Sequence, residues 1–208
     1  MGLIFFINAS TKSKPQTTNT VYSSLLDKNF YHVRDAYLVQ LYGENTGMSF
    51  DLAKKQLFGA DVAIKDGNLY GDELVDWSLE DYYENEEDYF LDATRHIPID
   101  KKAIKENQFK QTIVLQDIWS HFKSEDVTND VIENFKQGNL TQLRISYNKN
   151  YLPIKLEGFY KSGEEKGWKD LFYIDYPYEN QSMFDKELDA YVKTIESQTT
   201  QESEVEDD

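Results

Sequence analysis

The chain has 208 residues, no cysteine, and 22 Lys+Arg against 38 Asp+Glu, giving a formal net charge of −16 and an isoelectric point near 4.6. Hydrophobic residues make up 39% and aromatic residues 14%, enough apolar surface to build the core of one domain and to exclude a disordered chain. The lack of cysteine excludes disulfides, thiolate metal sites and cysteine nucleophiles, and the negative charge disfavours direct contact with nucleic acid or anionic membranes.

Leu3–Ile7 is a continuous apolar run that suits a buried strand. It is too short for a signal peptide or a membrane span, and Phe6 stands where a myristoylation signal wants Ser or Thr, so a cytoplasmic protein is expected. A polar stretch from Asn8 to Thr20 follows, and Asn19 or Thr20 can cap a helix through Val21, Leu25 and Leu26. Tyr31–Tyr42 alternates loosely and reads as a second strand closed by Gly43. Ser49 can cap a second helix through Leu52, Lys55 and Phe58, ended by Gly59, and Asp61–Ile64 reads as a short strand. Residues 1–65 therefore give a β-α-β-α-β pattern, which favours a parallel, layered start.

Gly67, Asn68 and Gly71 then mark turns. Asp72–Asp92 packs ten acidic residues into 21, and no Lys or Arg stands between Lys65 and Arg95. Val75, Leu79, Tyr82, Tyr83 and Phe90 recur near helical spacing, so the expectation is an amphipathic acidic helix with one buried and one intensely negative face. Pro98 ends the region. Gln111–Trp119 reads as a strand or a short buried helix, and Asp126–Phe135 as a helix stopped by Gly138. Gln142–Tyr147, Pro153–Tyr160 and Trp168–Asp175 read as strands joined by short turns, an antiparallel meander. Phe184–Ile195 reads as a closing helix, and Ser197–Asp208 as an acidic, disordered tail. The fold class is α+β. A single domain is expected over 1–196, with 1–65 as a sub-layer within it.

No phosphate-loop, dinucleotide or nucleophile-elbow motif is present. His32, His96 and His121 show no ligand spacing, and Asp81–Asp88 lacks the glycine of a calcium loop, so neither a metal site nor a catalytic residue is expected. The acidic pairs of 72–92 form a row of like charges, whereas catalytic carboxylates need unequal surroundings.

Two resemblances bear on function. Phe5-Phe6-Ile7-Asn8-Ala9-Ser10 followed by Thr17-Thr18-Asn19-Thr20 resembles the opening of NAD(P)H-dependent FMN reductases and azoreductases, which are flavodoxin-like. That resemblance implies FMN as cofactor, with Ser10, Lys12, Thr17, Thr18 and Asn19 at its phosphate. It covers about 65 residues and then departs from the family, because Lys65–Tyr70 stands where the family carries its flavin-ring loop. The texture of Asp81–Phe90 resembles DNA-mimic inhibitors of mobile elements, such as anti-CRISPR and antirestriction proteins, in composition over about 20 residues.

A rigid row of carboxylates can offer a basic groove a field like that of DNA, and interleaved aromatic rings supply anchors. On this reading the partner is a basic, nucleic-acid-binding protein and no cofactor is needed. The docking residues are Asp72, Glu73, Asp76, Trp77, Glu80, Asp81, Tyr83, Glu84, Glu86, Glu87, Asp88 and Tyr89. The plain alternative is a solvated acidic face. A third reading is a structural component of a phage or mobile element whose aromatic-rich meander packs against copies of itself. The oligomeric state stays open.

Overall fold

A computed structural model of the chain describes residues 19–43, 46–71, 95–118, 137–161 and 166–205. Its centre is a nine-stranded sheet accompanied by helices, an α+β fold. In chain order the elements are α1 (Val21–Lys28), β1 (Phe30–Asp35), α2 (Ala36–Tyr42), β2 (Met48–Asp51), β3 (Gln56–Gly59), β4 (Val62–Lys65) and β5 (Asn68–Tyr70). They continue with α3 (Lys101–Glu106), β6 (Lys110–Val114), α4 (Leu115–Ile118), β7 (Leu140–Tyr147), β8 (Pro153–Tyr160), β9 (Gly167–Asp175) and α5 (Gln181–Val205). The strand order is β5-β4-β3-β2-β1-β9-β8-β7-β6, and every pairing is antiparallel.

The parallel start expected over 1–65 is therefore corrected for the described residues. Its cause lies in the connections. β3 and β4 are joined by Ala60 and Asp61, both at positive φ (47° and 64°). β4 and β5 are joined by Asp66 and Gly67, also both positive (51° and 81°). Two-residue turns of this type match the twist of a hairpin, whereas a parallel pair needs a crossover of about a dozen residues or more. The helix expected from Ser49 to Gly59 is instead the β2–β3 hairpin. Asp51 Oδ1 accepts the N–H groups of Ala53 and Lys54 at 3.1 and 3.2 Å, which closes a turn where the helix would have continued. Gly59 is required here: at its φ of +135° a Cβ would lie 2.2 Å from the Gly47 carbonyl oxygen.

The strand expected over Tyr31–Tyr42 ends at Asp35, whose carboxylate caps α2 by accepting from the N–H groups of Tyr37 and Leu38. The helix capped by Thr20 forms as expected, with a reciprocal pair: Ser23 N–H donates to Thr20 Oγ1, and Thr20 N–H donates to Ser23 Oγ. Gln111–Trp119 divides into β6 and α4, and α3 is an element the sequence reading did not separate. The meander of β7, β8 and β9 is present. The closing helix is also present and runs on through Val205, past the Ile195 at which it was expected to stop. The strand at Leu3–Ile7, the acidic helix at 72–92 and the helix at 126–135 lie outside the described residues.

Side chains alternate across the sheet, so neighbours on β1 serve different cores. Tyr31 joins Val21 and Leu25 of α1, Ile97, Ile99 and Ile104 of the region around α3, and Leu143, Ile145, Leu156 and Ile174 of the meander. Phe30 faces the other way and joins Phe58, Ala63 and Tyr178 beneath Phe184, Leu188, Val192 and Ile195 of α5. Among the described residues, no helix is long and apolar enough to cross a membrane.

Phe184 is the anchor of α5. It is fully buried, stacks on Phe30 at 5.3 Å between ring centroids, and meets Phe58 and Tyr178 edge-on at 5.4 and 5.2 Å. Phe184→Ala is expected to cost about 3–5 kcal/mol, read by urea denaturation. A loss no larger than that of a surface change, about 0.5 kcal/mol, would contradict this packing.

Candidate partner-docking site

The acidic residues expected to dock a partner, Asp72 to Asp88 with Trp77, Tyr83 and Tyr89, lie outside the described residues, but the chain on either side of them is fixed. On the N-terminal side, β5 is the edge strand of the sheet and pairs with β4 through Ala63↔Tyr70, Ile64↔Leu69 and Lys65↔Asn68. Helix α5 fastens this edge: Lys65 Nζ lies 2.8 Å from Asp189 Oδ1, and the Asp61 N–H donates to the Tyr191 hydroxyl at 2.9 Å. On the C-terminal side, residues 95–100 form a strap along α1. Ile97 is 2% exposed, and its carbonyl accepts the Val21 N–H at 3.0 Å. The Ile99 N–H donates to the Asn19 carbonyl at 2.7 Å, and Thr20 and Pro98 form an isolated bridge. The Arg95 guanidinium lies 4.3 Å from the centre of the Tyr22 ring. Residues 72–94 thus connect a sheet edge held by α5 to a strap held by α1.

Of the residues tied to the FMN resemblance, Ser10, Lys12, Thr17 and Thr18 lie outside the described residues, and Asn19 is described. Asn19 belongs to the cap of α1: its carbonyl receives Ile99, and its Oδ1 accepts from Ser23 Oγ at 3.1 Å. The amides of Val21, Ser23 and Ser24, which a phosphate at this helix end would use, already donate to Ile97, Thr20 Oγ1 and Thr20 O. The antiparallel sheet also differs from the parallel sheet that places FMN in flavodoxin-like proteins. Among the described residues, no group of three His, Asp or Glu side chains is placed to hold a metal ion.

A second polar surface was missed in the sequence. Register across the meander sets Arg144 opposite Glu157 and Glu157 opposite Asp170. Arg144 grips Glu157 with both prongs, Nε to Oε2 at 2.8 Å and an Nη to Oε1 at 2.6 Å, and its guanidinium lies 4.1 Å from the centre of the Trp168 ring. Lys155 Nζ lies 2.6 Å from Asp170 Oδ1 and 3.7 Å from Glu157 Oε1, and the Tyr173 hydroxyl donates to Asp170 Oδ2 at 2.8 Å. Arg34 of β1 pairs with Asp175 of β9 at 2.7 Å. Arg34, Arg144 and Lys155 thus each have a carboxylate beside them, and the ladder offers no excess positive charge to a polyanion. The hydrogen bond from Arg144 holds the Glu157 carboxyl below its usual value, against the opposing effect of burial. Burial alone would raise Asp170, but the hydrogen bonds from Lys155 and Tyr173 bring it below its usual value. The alternation of Arg144, Glu157 and Asp170 over three strands was the signal available, once the turns fix the register.

Helix α2 adds an apolar surface. It buries none of its residues, and Tyr37, Leu38, Leu41 and Tyr42 are 66%, 41%, 53% and 74% exposed.

No protein-family model matches the sequence, and neither a curated protein nor a solved structure gives a match.

The Arg144–Glu157 pair makes a signed prediction. Because the carboxyl is held low in the folded state, the pair stabilises the protein above the ordinary carboxyl value of 4.5, and that contribution is lost as pH falls through the lower folded value. Glu157→Gln should cost about 1–3 kcal/mol at pH 7 and flatten the acid limb of stability against pH, measured by urea denaturation across a pH series. An acid limb as steep as that of the wild type would show that Glu157 does not titrate as described.

Proposed function

We propose that this protein is a non-enzymatic inhibitor or immunity-type protein whose acidic segment 72–92 occupies a basic, nucleic-acid-binding surface of a partner. The observation that carries this reading is the placement of charge. Ten of the net sixteen negative charges fall in 21 consecutive residues with no cation among them, and the chain is anchored to the fold on both sides of them. Like charges at this density repel one another and cost stability, a cost that a cationic partner offsets on binding. Carboxylates steer the encounter, and Trp77, Tyr83 and Tyr89 supply apolar contact once the surfaces meet. The meander ladder supports the same reading, since its cations are matched by carboxylates and offer DNA or RNA no binding stripe. The mechanism is steric and electrostatic competition, of the kind an anti-defence protein of a mobile element would use.

The test is charge reversal of Glu84, Glu86, Glu87 and Asp88 to Lys, with partner recovery from bacterial lysate at low and high salt. The wild type is expected to retain basic nucleic-acid-binding proteins at low salt, to release them as salt rises, and to release them to added duplex DNA. The reversed variant should melt at a temperature no lower than that of the wild type, since it relieves the like-charge repulsion, and retain none of them. Equal retention by the variant would refute the site. Uptake of FMN with its visible absorption band, together with no salt-sensitive partner, would replace this reading with a flavoprotein one.

A further inference from the structure

Strand β6 is one edge of the sheet, and its outer side carries no strand among the described residues. The Tyr147 N–H donates to the Phe109 carbonyl at 2.8 Å, so Phe109 turns its carbonyl toward β7. The register from Lys110↔Ser146 to Val114↔Gln142 is unbroken, and main-chain groups of an antiparallel strand alternate in direction. Gln111 and Ile113 therefore turn their N–H and carbonyl groups to β7, and Lys110, Thr112 and Val114 turn theirs away from it. Lys110 is closed by the turn before it: its N–H donates to the Asn107 carbonyl and its own carbonyl accepts from Asn107 Nδ2, each at 3.1 Å. Among the described residues, no such partner serves Thr112 or the Val114 N–H. The side chains of both are exposed, Val114 at 45%.

Such an edge is a template for one further strand. The chain itself holds a candidate, because Leu3–Ile7 is a run of five apolar residues and β6 is five residues long. The described chain starts at Asn19, close to this edge. The Ile99 N–H donates to the Asn19 carbonyl at 2.7 Å, and the carbonyl of the adjacent Pro98 accepts from Gln111 Nε2 of β6 at 2.9 Å. Eleven residues, Asn8–Thr18, separate Ile7 from Asn19. Extended, they span up to about 36 Å, twice the roughly 17 Å length of β6. The opposite edge, β5, offers only three residues, and its chain leads on into the acidic segment. Residues 1–18 include Lys12 and Lys14 and no Asp or Glu, so they approach the rest of this acidic chain without repulsion.

We propose that the outer edge of β6 is a docking surface for Leu3–Ile7, which adds to it as an antiparallel strand bonded to the main chain of Thr112 and Val114. The antiparallel sense continues that of every described pairing. It also sets Ile7 at the Lys110 end of β6, the end from which Gln111 reaches Pro98 and the strap beside Asn19. Alternate side chains of the added strand fall on the core face beside Ile113 and on the outer face beside Val114. An all-apolar run thus finds apolar neighbours on both of its faces, which an alternating strand would not need. The docked segment closes an edge that is otherwise able to pair with a second copy of the chain.

Amide hydrogen exchange and a spin label, both read by NMR on the full chain, test this. In the wild type the Thr112 and Val114 amides should exchange slowly, at a rate that dilution leaves unchanged. Ile4→Asp combined with Phe6→Asp should speed both by at least about tenfold, while the Ile113 amide, bonded to β7, keeps its protection and reports an intact sheet. Because the chain has no cysteine, Lys110→Cys accepts a single nitroxide. That label should broaden the amide signals of Leu3–Ile7 more than those of Lys12–Gln16, and it decides the matter alone if the double variant loses the Ile113 protection. Four results would each overturn the docking: fast exchange in the wild type, protection that disappears on dilution because a second copy supplies it, protection that survives the double variant because something else covers the edge, or Leu3–Ile7 signals that the label leaves sharp.

Discussion

The pairing of β1 with β9 is the constraint on which the remaining architecture depends. It sets His32 opposite Asp175, Val33 opposite Ile174, Arg34 opposite Tyr173 and Asp35 opposite Phe172. On one side of that seam lie the hairpins of β2 to β5, and on the other the meander of β9 back to β6. Because successive residues of β1 face opposite ways, the seam also divides the core. Tyr31 closes the layer under α1 and the 95–100 strap, and Phe30 closes the layer under α5. A one-residue slip at this seam would exchange the two layers and bury Arg34 and His32 against apolar rings. The Arg34–Asp175 pair sits on the seam and penalises that slip.

Given this frame, the negative charge is segregated. Several of the described half-buried charges are matched in pairs: Arg144 with Glu157, Lys155 with Asp170, Lys65 with Asp189. Pairing at close range lets the sheet carry ionic groups without a large field at its surface. The carboxylates of 72–92, a stretch of sequence without Lys or Arg, lie between two anchored stretches of chain. A scaffold that neutralises its own charges and sets the excess apart is the arrangement expected of a protein that docks through a single charged segment.

Much of the second half was legible in the sequence, because its signals are local. Short polar turns between alternating runs gave β7, β8 and β9, and helical spacing at Phe184, Leu188, Val192 and Ile195 gave α5. The first half was misread where a polar side chain outweighed the apolar pattern. Asp35 and Asp51 each accept two backbone N–H groups, the first starting a helix inside an apparent strand and the second a turn inside an apparent helix. The Asp66-Gly67 pair carried a hairpin signal that the β-α-β pattern overshadowed. The polar contacts at His32, Ser49 and Tyr178 join residues far apart in sequence, and no local spacing encodes them.

The seam also has a consequence for biosynthesis. Arg34 and its partner Asp175 are 141 positions apart, so β1 leaves the ribosome long before β9 exists. At roughly 5–20 residues per second the wait is on the order of ten seconds, during which neither of the core layers that Phe30 and Tyr31 enter is complete. The early hairpins form in about microseconds and give β1 a neighbour on one flank only. Its other flank presents unpaired backbone groups to solvent or to a chaperone until β9 has been made. Synonymous codon changes that slow elongation between β5 and β9 would lengthen this exposure and lower the yield of folded protein, while the amino-acid sequence and the final fold stayed the same.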